Sequence, residues 1–299
     1  MKTAWQSKWH IWLLIFAAVL MLTITGCGEN DTDGDDDDDA PTIPPAYTLA
    51  PDFSSMGGNR TGTAVVDPVA PAEALKLPQA EKGNPAIQVS CSVDNYTHAA
   101  GHVLFWNTAL WVTLAVPSWS FVEAFNHDPV QQDDGSWIWS YDVNVLNVIY
   151  TAELHGAFVD GEVQWHMYIT KQGEYVDFLW YRGTSNLPAT EGTWILKKSY
   201  VEQDDWIGIE WSRSIANQTW QVQYMNILAG DPNEGGLIEY GISDNDTYDA
   251  FYDIYNAVAD TWVNIEANST TTAGRVMNET HFGDDQWRLW DGDHCDTQP

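Results

Sequence analysis

Two pairs of histidines stand at spacings that chemistry could use. His98 and His102 are four positions apart, so on a helix they would share one face, as two imidazole ligands of a metal ion do. No third ligand stands near them, and they read more simply as two polar residues at the start of a helix. His155 and His166 fall on what look like adjacent strands, where a hairpin would bring them side by side; solvated strand histidines are the simpler reading. Glu153, Glu162, Asp177 and Glu210 could supply the paired carboxylates that cleave glycosidic bonds. In a chain with 43 acidic residues, however, two neighbouring carboxylates say little. There is no Gly-x-Ser-x-Gly, no His-Glu-x-x-His and no phosphate-cradling glycine loop. No metal site, catalytic residue or cofactor is expected.

Tryptophan offers a different kind of chemistry. The chain holds 17, and flat aromatic rings either fill a core or stack on a ligand such as a sugar. Trp137, Trp139, Trp165 and Trp180 lie on the apolar side of alternating runs and are expected inside. Trp206 and Trp211 should lie on opposite faces of one strand, leaving one of them exposed. Trp211, together with Trp287 and Trp290 near the C-terminus, is the best candidate for a stacking platform.

The elements that would carry these groups are mostly strands. Trp137, Trp139, Tyr141 and Val143 share one face, as do Val163, Trp165, Met167 and Ile169, then Val176, Phe178 and Trp180, then Trp220, Val222 and Tyr224. Turn signals such as Val159-Asp160-Gly161 and Lys171-Gln172-Gly173 separate them. The pattern predicts a mainly β domain, an antiparallel up-and-down meander over 137–299, strongly curved or barrel-like, packed on one or two N-terminal helices. A helix apolar nearly all round is expected over 98–126, ended or kinked at Pro117, with a second short helix from Trp119 to Phe125. Tyr248, Phe251, Tyr252 and Tyr255 fall at helical spacing and predict a short helix. Residues 46–90 are expected to be largely irregular, with one short strand at Tyr47 to Ser54.

The N-terminus indicates an address. Lys2 and Lys8 precede the apolar run Ile11 to Ile24, the layout of an export signal over residues 1–26. Ile24-Thr25-Gly26-Cys27 resembles a bacterial lipobox, which implies lipidation of Cys27 and a membrane anchor. The following acidic run, Glu29 to Asp39, repels itself and buries nothing; with Pro41, Pro44 and Pro45 it reads as a spacer over 27–45. A calcium loop fits poorly, since Asp31-Thr32-Asp33-Gly34 lacks the EF-hand register. Gly28 and the acidic patch resemble signals of outer-membrane lipoproteins, displayed on the surface rather than facing the periplasm. In that oxidising setting the two remaining cysteines, Cys91 and Cys295, read as a disulfide.

Four stretches of the body, Asp134 to Tyr141, Tyr150 to Gly156, Asp177 to Trp180 and His281 to Asp291, resemble a group of envelope lipoproteins of Bacteroidota-type bacteria. That resemblance implies a coherent single domain over 46–299 and no particular activity. With a formal charge of −31, nucleic acid and anionic membrane surfaces are poor partners. The expectation is a non-enzymatic envelope protein binding an apolar or glycan ligand. A surface glycan hydrolase with paired carboxylates and a purely structural or adhesive protein are the alternatives.

Overall fold

The computed structural model describes residues 39–51 and 91–298. The chain splits into two units, Met1–Asp39 and Ala40–Pro299, and Asp39 alone represents the first among the described residues. The export signal, the lipobox with Cys27, most of the acidic run and residues 52–90 therefore lie outside the described residues.

Among the described residues, fourteen strands form one antiparallel sheet in strict chain order. They are β1 Val130–Gln131, β2 Trp137–Val145, β3 Val148–Val159, β4 Glu162–Lys171, β5 Tyr175–Asn186, β6 Glu191–Lys197 and β7 Asp205–Ser214. The second half comprises β8 Thr219–Asn226, β9 Leu237–Ile242, β10 Ala250–Asn256, β11 Thr261–Ala267, β12 Gly274–Met277, β13 Arg288–Trp290 and β14 Asp296–Thr297. The first and last strands do not pair, so the sheet is not closed. Each tight connection lets the next strand pair with the one before it, which is why a sequence of alternating runs and turns becomes a meander.

Alternation sets the inner face. In β4, Val163, Trp165, Met167 and Ile169 are each no more than 1% exposed, while Gln164 is exposed. In β5 the expected alternation fails. Tyr175, Phe178 and Tyr181 are buried and Val176 is 74% exposed. Asp177 causes the shift: its φ is 48°, its N–H donates to Thr170 Oγ1 at 2.9 Å, and the Thr170 hydroxyl donates back to Asp177 Oδ1 at 3.1 Å. The β4–β5 register slips at this contact, between Ile169 and Lys171, and again between Met167 and Tyr168, and each slip changes which β5 side chains face inward.

Four tryptophans on the inner face lie over glycines of neighbouring strands. Trp165 pairs with Gly156 and Gly183, Trp194 with Gly183, Trp211 with Gly192, and Trp290 with Gly274. A Cβ on Gly156 would stand 2.8 Å from Trp165 Cζ3, and one on Gly274 would stand 2.3 Å from Trp290 Cζ2. Glycine leaves room for the indole to lie flat on the sheet.

The helix α1, Asp94–Glu123, is a single element with Pro117 inside it, followed by a 3-10 turn at Ala124–Asn126. The helix does not end at Pro117, and no separate second helix starts at Trp119. Proline removes one helical hydrogen bond. Here the last turn is held by packing, with Phe121 fully buried against Tyr181 and Trp194, and by the Tyr141 hydroxyl, which donates to the Ser120 carbonyl. Nor is α1 buried all round, because Phe105 and Val112 are 67% and 64% exposed. The helix touches β2 at one end of the sheet and β12, β13 and β14 at the other. At 1.5 Å per residue its 30 residues extend ~45 Å, enough to act as a strut across the inner face.

The N-terminus of α1 is capped from 200 residues away. Cys91 and Cys295 form a disulfide with Cα atoms 5.5 Å apart, and the next residue, Asp296, accepts from the N–H groups of Asp94 and Asn95 at 3.2 and 3.0 Å. A carboxylate there satisfies otherwise unpaired donors and complements the helix dipole.

Two further expectations fail. Residues 46–48 form a 3-10 turn, not a strand, and the folded unit takes in 40–45, where a spacer was expected: Pro41 and Pro44 are buried, and Thr48 accepts from Trp194 Nε1 at 3.1 Å. The aromatic run at 248–255 is not a helix. Residues 250–256 form β10, paired along its length with both β9 and β11, and two ladders outweigh a weak helical spacing.

Candidate functional site

Beneath the middle of α1 lies a cleft of about 870 Å³. Its roof is the helix face carrying His98, Gly101, His102, Phe105, Trp106 and Leu110. Its floor is the end of the sheet where β7 and β11 begin and β8 and β10 finish, presenting Ile207, Tyr224, Asn226, Ile254, Thr261 and Val263. The helix α2, Glu279–Phe282, and the preceding Asn278 close one side. Among the described residues 25 line it, and none is Asp, Glu, Lys or Arg. Charged residues make up 18% of the chain, so four or five would be expected by composition alone.

The polar groups along the rim are held in place by local bonds. Asn226 Nδ2 donates to Asp231 and its Oδ1 accepts from Leu228 N–H at 3.0 Å; Asn256 Oδ1 accepts from Val258 and Ala259 N–H, both at 3.0 Å. The hydroxyls of Thr261 and Thr280 are 2.6 Å apart. Such a rim is pre-formed, which lowers the cost of ordering it around a ligand.

Three imidazoles stand at the α2 side. His98 stacks on His281 with ring centres 3.9 Å apart, and His102 meets His98 edge-on at 4.8 Å. Asn278 Oδ1 accepts from the His281 N–H at 3.2 Å, which turns the amide nitrogen toward His98 Nε2 at 3.1 Å. The amide donates, so His98 Nε2 must carry a lone pair and the ring is neutral. Burial, then His102 and His281, lower the His98 pKa to about 4; burial and His281 also lower that of His102. Stacked rings point their nitrogens along parallel planes, and no group of three or more ligating side chains that could hold a metal exists among the described residues.

The sequence-derived candidates are distributed differently. Trp211 and Trp290 are 3% and 2% exposed and cannot serve as exposed platforms; each is folded onto a glycine in the core. Trp287 is half-buried, with the Arg275 guanidinium 4.3 Å over its ring. Of the pair on β7 it is Trp206 that stays half-exposed, and it lines the cleft. His155 and His166 do face each other across the β3–β4 hairpin, on the outer face, and Tyr168 packs on both. Glu153 is opposite Ser140 and Tyr168, Glu210 opposite Thr193 and Gln223, Glu162 sits by the β3–β4 turn, and Asp177 is engaged in its bulge. No two of these four are cross-strand partners. The carboxylates that do pair, Glu239 on β9 and Asp253 on β10, stood out in no motif. Burial raises both pKa values, and Asp253 raises that of Glu239 further. They lie on the outer face, away from the cleft, since their strand neighbours Ile238, Tyr240, Tyr252 and Ile254 are the buried, inward ones.

The one early hint of the cleft was the four-residue spacing of His98 and His102. Comparison with protein-family models, with curated proteins and with solved structures finds no match for this chain.

Proposed function

We propose that this protein is a lipid-anchored envelope protein, attached at Cys27 to the outer membrane and displayed at the surface, whose folded unit binds a neutral, largely apolar small molecule without transforming it. The anchor rests on the lipobox resemblance and the acidic spacer behind it. The observation that carries the binding role is that, among the described residues, the lining of an 870 Å³ cleft holds no Asp, Glu, Lys or Arg in a chain of net charge −31. Excluding every ionised group from such a surface favours a ligand that would lose energy beside an unpaired charge. Leu110, Ile207, Ile254 and Val263 would take its apolar body, while Asn226, Asn256 and Thr261 would meet a hydroxyl or carbonyl.

Gly101 provides the test. It lines the roof, and a Cβ there has nothing within 4 Å. Gly101→Leu should put a side chain into the cleft without disturbing the fold, and it replaces a helix-interior glycine worth ~0.5–1 kcal/mol of lost stability. Purified mature protein should bind the neutral apolar dye Nile red saturably, and the variant should bind it at least about tenfold more weakly, the ~1.4 kcal/mol expected for lost contact area. Equal binding by both would remove the cleft as the site. For the anchor, Cys27→Ala should abolish acylation and membrane fractionation, and acylated variant in the membrane fraction would refute it.

A further inference from the structure

The described part of the chain contains seven lysines and arginines. Six of them, Lys171, Arg182, Lys197, Lys198, Arg275 and Arg288, each form an ion pair with a carboxylate. Arg213 has no carboxylate partner among the described residues. Its Nε is buried with no hydrogen-bond partner, and its charge acts on the nearby Tyr47 hydroxyl, opposing the rise that burial causes in that phenol's pKa. Tyr47 in turn stacks on Trp220, the cross-strand neighbour of Arg213, at 4.7 Å. A guanidinium with a buried, unpaired Nε and no carboxylate beside it is costly unless an anion meets its terminal nitrogens. In a protein with 43 acids, pairing it with a carboxylate of its own would have been easy.

Arg213 lines a second cavity, of about 340 Å³, at the opposite end of the strands from the cleft, where β7 ends and β8 begins. The volume is at the small end of the ~300–1,000 Å³ typical of ligand sites, right for one compact molecule. Hydroxyls surround it, from Ser212, Ser214, Thr219 and Ser243. Asp244 and Gln221 add acceptors, and Phe251 an apolar surface. One unpaired cation, several hydroxyls and a carboxylate acceptor together match a ligand with a single carboxylate and several hydroxyl groups. A carboxylate takes two parallel N–H bonds from the guanidinium fork, and Asp244 would accept from ligand hydroxyls while repelling a more highly charged anion.

We infer that the Arg213 cavity is a second binding site, independent of the cleft, for a small hydroxylated monocarboxylate of the sugar-acid class. Calorimetry on the purified mature protein would use three probes: glucuronate, glucose and inorganic phosphate. Glucuronate should bind saturably, glucose, which lacks the carboxylate for the guanidinium, at least about tenfold more weakly, and phosphate, repelled by Asp244, no better than glucose. Arg213→Met should lose glucuronate binding while keeping Nile red binding in the cleft, which shows the variant folded; Arg213→Lys should retain part of it. Gly101→Leu should bind glucuronate normally, so failure of the cleft reading leaves this one standing. Phosphate binding as tight as glucuronate, or glucuronate binding unchanged in Arg213→Met, would overturn the assignment.

Discussion

Removing the Trp165 indole should be among the most damaging single changes in the sheet. The residue is fully buried, and its Nε1 donates to Ser185 Oγ at 2.9 Å. A tryptophan buries ~150–250 Å² on folding, equivalent to ~4–6 kcal/mol at ~25 cal/mol per Å². Alanine recovers a small part, and Ser185 is left without its donor, so Trp165→Ala should cost ~4–5 kcal/mol. The hole cannot be refilled from the flanking strands, because the residues facing the ring are Gly156 and Gly183. Gly156→Ala alone places a methyl 2.8 Å from Trp165 Cζ3 and 3.0 Å from Pro41 Cγ, an overpacking that should cost ~1–3 kcal/mol. Combined with Trp165→Ala, the same methyl enters the vacated space, and its penalty should shrink by ~1 kcal/mol or more. Gln164→Ala, on the outer face, should stay within ~0.5 kcal/mol. The measurement is urea unfolding followed by far-ultraviolet circular dichroism, with the disulfide intact. Strict additivity of the Gly156 and Trp165 changes, or a Gln164→Ala loss comparable to Trp165→Ala, would refute the packing of indole on glycine.

The C-terminal latch should act as two separable parts. Asp296→Ala should cost ~1 kcal/mol by uncapping α1, whereas Cys91→Ser with Cys295→Ser removes a cross-link worth at most ~5 kcal/mol for so long a loop; similar small losses from both would mean the bridge does not constrain the unfolded chain. Mass spectrometry of denatured, unreduced protein should find neither thiol open to alkylation. Acid should weaken the α1–α2 contact, because His98 has a folded-state pKa of about 4 against an ordinary 6.5. The unfolded chain then takes up the proton first, so the stabilising advantage of the wild type over His98→Gln should be full above pH 6.5 and fall away between pH 6.5 and 4. An advantage that grows on acidification would show that the imidazole is stabilised as a cation.

What the sequence alone settles is whatever repeats at short range. A period of two, punctuated by Asp-Gly and Gln-Gly turns, is enough to specify antiparallel neighbours, so the meander and the inward face of Val163, Trp165, Met167 and Ile169 were legible. The mismatches in β5, an exposed Val176 and a half-buried Trp180, go with two slips of the β4–β5 register, one of them at the Thr170–Asp177 bonds, which no pattern along one strand reveals. The helix continues past Pro117 and the run at 248–255 is a strand for the same reason: both obey packing partners far away in sequence, which override weak local preference. Whether a tryptophan is buried depends on what lies opposite it. Trp211 and Trp290 are internal because the register sets Gly192 and Gly274 against them, while Trp206 faces the cleft. Both candidate sites were invisible beforehand, since one joins residues 97–113 to 206–281 and the other is marked by an arginine that meets no carboxylate among the described residues, which only three dimensions decide. Burial, charge exclusion and unpaired donors are properties of assembled surfaces, and a linear pattern carries them only when the partners are close along the chain.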